Sequence, residues 1–184
     1  MDKQMIHIYG ASGSGTTTLA KYISQEMGYF MMDTDDYYWM PTDRPYTVKR
    51  NIKERLDLMK QDFLKSDRIV LSGSLFDWGD ELIPFFTLAV RLETENGIRM
   101  KRLKEREKKD FGSRIEPGGD MYEDHIEFME WAASYDDGGL EIRSKAKHDE
   151  WEKLLTCPVI RLDGNSKLEY NFEAVRQAVM LTQD

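Results

Sequence analysis

Ile6-His7-Ile8-Tyr9-Gly10-Ala11-Ser12-Gly13-Ser14-Gly15-Thr16-Thr17-Thr18-Leu19-Ala20 decides how this chain folds. A β-rich run feeds a glycine-rich loop, and the loop opens a helix. Glycines at 10, 13 and 15 let successive backbone N–H groups turn inward around a phosphate. The helix that follows aims its positive end at the same anion. The spacing meets the phosphate-loop pattern G-x-x-x-x-G-K-S/T at Gly10, Gly15 and Thr17. In this register Gly10, Ala11, Ser12, Gly13, Ser14, Gly15, Thr16 and Thr17 surround the phosphates, and the Thr17 hydroxyl is the Mg2+ ligand. Thr18 caps or lines the first helical turn. The competing reading, a strand-to-helix turn that holds no ligand, is disfavoured by three glycines with serine and threonine in this context.

Thr16 stands where the pattern has lysine. That lysine contacts the β- and γ-phosphates through charge-assisted hydrogen bonds worth on the order of 1.5–3 kcal/mol. Its larger role is to stabilise charge on the phosphoryl group in flight. Threonine offers one neutral donor. Either another cation reaches the site, or the chemistry is weak, or the protein only binds.

Beyond the loop, Tyr29-Phe30-Met31-Met32 runs into Asp33-Thr34-Asp35-Asp36 and then Tyr37-Tyr38-Trp39. Carboxylates at the C-terminal end of a strand beside such a loop lie where open α/β sheets bind ligands. One carboxylate can hold Mg2+ and another can accept the proton of an attacking hydroxyl. If the strand persists, Asp33 and Asp35 share a face; Asp35 is the first candidate for base or metal ligand, and Asp33 the second. An acidic turn that caps the next segment accounts for the cluster equally well on its own. The third strand, Arg68 to Leu71, ends in Ser72-Gly73-Ser74 without an acid, which leaves the Asp33 to Asp36 cluster as the nearest supply. Tyr37, Tyr38 and Trp39 either stack on a ring of the acceptor or pack a helix onto the sheet edge.

Further on, Arg99, Arg102 and Arg106 recur at i, i+3 and i+7 and share one face of a helix over Gly97 to Lys109. Beside a phosphate loop, such a row can stack on an adenine and reach phosphates as a lid closes; on an isolated helix it is a solvated face. Phe111-Gly112-Ser113-Arg114 reads as a loop carrying one arginine, and Arg114 is the leading candidate to supply the missing positive charge. Arg143 is the second. His125 and His148 lack zinc spacing and read as helix-surface or packing residues. Asp163-Gly164-Asn165, after the last strand, lies near the phosphate loop in a doubly wound sheet and is either a base-edging turn or an ordinary one.

Short apolar runs at Met5 to Tyr9, Tyr29 to Met32, Arg68 to Leu71, Phe85 to Leu92 and Pro158 to Leu162 read as strands. They alternate with helical spacing over Thr17 to Met27, Val48 to Leu64, Gly97 to Lys109, Met121 to Ser134, Glu141 to Leu155 and Glu169 to Leu181. The pattern predicts a single α/β domain over 1–184, a five-stranded, mostly parallel sheet with helices on both faces. Residues 34–66 and 107–150 exceed a simple crossover and are expected to be an acceptor-binding insertion and a helical lid.

The 184 residues are 40 % hydrophobic and 33 % charged, with a formal net charge of -8, which argues against a nucleic-acid or anionic-membrane partner. Cys157 is the single cysteine, so no intrachain disulfide forms. Met1-Asp2-Lys3-Gln4 leads straight into a strand with no basic stretch and apolar signal core before it, and a cytoplasmic location is expected.

Together, the loop at Gly10 to Thr17, the acids at Asp33 to Asp36, the arginines at 99 to 106, the loop near Arg114 and the turn at Asp163-Gly164 resemble the P-loop small-molecule and nucleoside monophosphate kinases. Adenylate kinase and shikimate kinase are familiar members of the group that these residues resemble. Gly118-Gly119-Asp120-Met121-Tyr122 and Tyr135-Asp136-Asp137-Gly138-Gly139 also look like bacterial proteins labelled adenylate-kinase-like or ATPase-like, among which a threonine or serine replaces the loop lysine. The resemblance implies the P-loop NTPase fold, ATP as phosphoryl donor, Mg2+ as cofactor and a small-molecule acceptor under the first insertion. Three readings stand: a kinase, a nucleotide-binding regulatory module without transfer, and a holder of another phosphorylated or anionic ligand.

Overall fold

A computed structural model describes residues 3–182. Five strands, β1 (Gln4–Gly10), β2 (Phe30–Asp33), β3 (Arg68–Ser72), β4 (Leu88–Glu93) and β5 (Val159–Asp163), form one sheet in the order β2-β3-β1-β4-β5. Every pairing is parallel. The α-helices are α1 (Thr16–Met27), α2 (Thr34–Tyr38), α3 (Ile52–Asp62), α4 (Asn96–Phe111), α5 (Tyr122–Ala133), α6 (Lys145–Glu152) and α7 (Leu168–Leu181).

Alternation along the strands sorts the core into two layers. Met5, Tyr9, Ile69, Leu71 and Ala89 face one side, where Leu56 and Met59 of α3 and Trp151 of α6 cover them. Ile6, Ile8, Val70, Leu88 and Val90 face the other, under Leu19 and Ile23 of α1 and Val175 and Val179 of α7. With both faces covered, β1, β3 and β4 are largely apolar, interrupted in mid-strand by the buried His7 and Arg91. Each fully buried aliphatic side chain contributes roughly 1.5–3 kcal/mol relative to exposure.

Several boundaries differ from those expected. The segment Asp80–Phe85 is a 3-10 turn with Pro84 inside it, so β4 starts at Leu88 and not at Phe85. α3 begins at Ile52 and not at Val48, because Asn51 accepts a hydrogen bond from the Glu54 N–H as N-cap and Lys49 is bridged to Trp39. α6 begins only at Lys145, capped by Ser144. α2 is a helix that the apolar spacing does not signal: Asp33 ends β2 and caps it, its side chain accepting from the Asp35 N–H. Asp33 and Asp35 therefore do not share a strand face.

Register then assembles the site. Gly10 lies beside Leu92, Asp33 beside Ser72, and Glu93 beside Asp163. The connection out of β1 runs toward one edge of the sheet and that out of β4 toward the other, which opens a crevice at their carboxyl ends.

Candidate active site

The loop between β1 and α1 is shaped by two glycines in particular. Gly15, at φ 102°, is the N-cap of α1 and offers no side-chain cap, so the first-turn N–H groups remain available to an anion. Gly10 has no room for a side chain: a Cβ there meets the Leu92 carbonyl oxygen at 2.4 Å and Ser14 Oγ at 2.8 Å. The Ser14 hydroxyl is buried without a hydrogen-bond partner among the described residues, an orphan polar atom inside the cradle.

Three chain segments brace this loop. Thr94 Oγ1 donates to the Ser14 carbonyl at 3.1 Å. Arg102 donates to the carbonyls of Gly13 at 3.4 Å and Gly164 at 3.0 Å, tying the loop to the turn after β5. Gly164 packs so close that an added Cβ comes within 2.6 Å of the Ser14 carbonyl oxygen. The turn at Asp163-Gly164 thus borders the loop, as its position after the last strand implies.

At the start of α1, Thr17 Oγ1 donates to Asp33 Oδ2 at 2.9 Å and lies 3.3 Å from Ser72 Oγ. Two hydroxyls and one carboxylate make a hard-oxygen donor set suited to Mg2+, which takes one or two carboxylates together with phosphate oxygens and water. The carboxylate at Thr17 is Asp33, not Asp35. Among the described residues no cluster of three or more His, Cys, Asp or Glu side chains can hold a metal, so no metal cage of protein ligands alone competes with this arrangement.

Asp35 keeps solvent-exposed surface in the first turn of α2, two residues beyond Asp33. Loss of hydration, then the Asp33 charge, raise its pKa above the usual carboxylate value, against the pull of Arg143 and Arg106. A carboxylate shifted this way is a better proton acceptor near neutral pH.

The arginines divide sharply. Arg99 is fully buried and spent on the Thr94 and Ala132 carbonyls and on Asp136, so it buttresses the α4–α5 contact and does not share a ligand face with Arg102. Arg106 is half-exposed, 6.0 Å from the Phe128 ring, and close enough to Asp35 to act on its charge. Arg114 forks onto Asp120 at 2.7 Å and donates to the Asp43 carbonyl at 3.3 Å, away from the loop. Arg143 instead reaches the loop, its Nη2 donating to the Gly10 carbonyl at 2.7 Å.

The aromatic residues after β2 make packing contacts within the protein. Tyr37 is buried and donates to Asp62, whereas Tyr38 stacks under Arg55 at 3.7 Å and touches Trp39 and Trp78 edge-on. Arg55 was not singled out by the sequence, though Arg55, Leu56 and Met59 fall on one helical face and a charge there is a detectable anomaly. Thr94 carries no motif. His148 is buried between Ser74 and Tyr135 and is a packing residue. A cavity of about 590 Å³ lies between α6 and the end of β5 and is lined by no residue of the glycine loop.

A parallel β2-β3-β1-β4-β5 sheet with a glycine loop opening α1 defines the P-loop kinase fold. The AAA domain family model matches residues 6–129, and the chain belongs to that family. It is 39% identical over 173 residues to the uncharacterized protein YqaC of Bacillus subtilis (strain 168), covering 94% of this chain and 96% of that one. Among solved structures, it resembles shikimate kinase from Bacteroides thetaiotaomicron (TM-score 0.55, 13% identity, 96% of this chain and 98% of that chain). It also resembles deoxyadenosine kinase from M. mycoides with bound dATP (TM-score 0.54, 15% identity, 96% and 99%). At such identities the likeness is one of fold.

Proposed function

We propose that this protein is an ATP- and Mg2+-dependent phosphotransferase acting on a small molecule or nucleotide. The observation that carries the reading is the 2.9 Å contact between Thr17 and Asp33 at the mouth of the glycine loop. It joins the two oxygen donors that a phosphate-bound Mg2+ needs to a cradle of free helix-N-terminal amides. Residues Gly10 to Thr18 hold the phosphates, Arg102 and Arg106 border the nucleotide, and Thr17 with Asp33 hold Mg2+, which when bound neutralises charge on the phosphates.

Asp35 accepts the proton of the acceptor hydroxyl, whose oxygen bonds to the γ-phosphorus as the bond to the β,γ-bridging oxygen breaks and ADP departs. Residues 34–66 form the acceptor side. Residues 107–150 form a lid, with Arg114 and Arg44 joining the two insertions through Asp120, the Asp43 carbonyl and Asp124. The net charge of -8 and the lone cysteine support a cytoplasmic protein with neither nucleic acid nor membrane as partner. No helix among the described residues is long and apolar enough to cross a membrane.

Calorimetric titration with ATP, with and without Mg2+, on wild type and Gly15→Val tests the reading. Mg2+-dependent binding that Gly15→Val abolishes supports it, and no binding to wild type refutes it. The neutral Thr16 favours a second reading, a regulatory nucleotide binder without transfer. Its mark is affinity for ATP with no turnover across a broad panel of hydroxyl and phosphate acceptors.

A further inference from the structure

We propose that Arg143 is the cation of the phosphate loop and contacts the terminal phosphate of the bound nucleotide, supplying from a distant segment the charge that Thr16 lacks. The inference rests on the reading of the loop as a nucleotide phosphate site. Three observations carry it. First, Arg143 Nη2 donates to the carbonyl of Gly10, the residue at which β1 turns into the loop, at 2.7 Å. Second, Arg143 Nε is buried with no hydrogen-bond partner among the described residues. A buried guanidinium N–H without an acceptor is costly and rare, and is explained by an acceptor the protein itself does not provide. Third, Arg143 faces both Asp35 and Asp33 closely enough for its charge to act on them, yet forms no ion pair with either.

Of the other arginines around the crevice, Arg106 is half-exposed and pairs loosely with Glu107 at 3.8 Å, and the rest are committed elsewhere. Arg91 pairs with Asp149 and Glu152, Arg99 with Asp136, and Arg114 with Asp120, while Arg102 is held by two backbone carbonyls. Arg143 lies on the connection between α5 and α6, and that connection is fixed. Ser144 Oγ donates to the Gly139 carbonyl at 2.6 Å while accepting from the Lys147 N–H, and the Trp131 ring lies 5.7 Å from the guanidinium. A planar fork with several donors can keep its contact to Gly10 and still present a second edge to a phosphate.

Binding of Mg2+·ATP and Mg2+·ADP is measured by calorimetry on wild type, Arg143→Ala, Thr16→Lys and the double variant, with Tm followed throughout. Arg143→Ala is expected to weaken ATP by about tenfold or more while ADP changes by less than about threefold, since one charge-assisted contact on the terminal phosphate is lost. Adding Thr16→Lys to that variant restores ATP affinity, and Thr16→Lys alone changes the ATP-to-ADP preference by less than about threefold because the cation is already present. Equal weakening of both nucleotides in Arg143→Ala overturns the proposal, as that is the signature of a purely structural contact to Gly10. So does a gain of about tenfold for ATP over ADP from Thr16→Lys alone, and this variant decides the matter if Arg143→Ala does not fold. In either case nucleotide binding by the wild type leaves the phosphotransferase reading standing. Failure of the wild type to bind ATP overturns both.

Discussion

Thr17, in the first turn of α1, donates its hydroxyl to Asp33, the last residue of β2, across 2.9 Å. Asp33 uses its second oxygen to cap α2 by accepting from the Asp35 N–H at 3.1 Å. One carboxylate thus caps the helix that follows β2 and stands beside the hydroxyl we propose as the Mg2+ ligand.

Asp33→Asn is expected to remove most of the Mg2+ dependence of ATP binding while ATP alone binds as before. An amide still caps α2, so the fold survives. Calorimetry with and without Mg2+ checks this. Full retention of the Mg2+ effect would mean that the ion is held elsewhere.

Asp35→Asn is expected to lower turnover on the order of 100-fold or more, the usual contribution of a positioned base, with nucleotide affinity little changed. The acid limb of kcat/KM in the wild type lies above the ordinary carboxylate pKa, because burial and Asp33 raise that of Asp35. Activity therefore rises with pH through that point, and the limb disappears in the variant. Because the folded-state pKa is raised, ionised Asp35 opposes folding at neutral pH, so Asp35→Asn also raises Tm there.

Gly10→Ala forces a Cβ to within 2.4 Å of the Leu92 backbone oxygen, which cannot move without opening the β1–β4 pairing. A loss of about 1–3 kcal/mol follows, as for other overpacked sites, together with loss of ATP binding. Urea unfolding measures the first and titration the second.

His7 is wholly buried against Tyr9 and Phe86, and burial lowers its pKa to about 4. Its folded-state value lies below that of the unfolded chain, so the stability it confers is complete above about pH 6.5 and is lost as pH falls from there toward 4. The loss is roughly 3 kcal/mol for a shift of this size. His148, likewise depressed by burial and by Arg143 and Arg91, steepens the decline. Urea midpoints at pH 7.5 and 5 test this, and His7→Phe is expected to flatten the slope.

Much of the fold was legible because its signals are local. Residues 6–9 and 69–71 show strand character whichever segment they pair with, and α1, α4, α5 and α7 fall within one or two residues of their spacing. α2 was invisible, since Thr34-Asp35-Asp36-Tyr37-Tyr38 has no apolar period and starts only because Asp33 caps it. β4 began late because Phe85 ends the 3-10 turn that contains Pro84, ahead of the ladder that starts at Leu88.

The sequence alone determined the glycine loop, the strand–loop–helix junction, the acid cluster behind β2 and the absence of the loop lysine, all properties of a few adjacent residues. Tertiary structure alone decided which carboxylate meets Thr17, which arginines are spent on structure and which one reaches Gly10. Arg143 lies 133 residues beyond Gly10 in the chain. The partner of a long, flexible cation is set by strand order, by the path of the α5–α6 connection and by which competing acids are already paired, and none of these is encoded in the residues beside it.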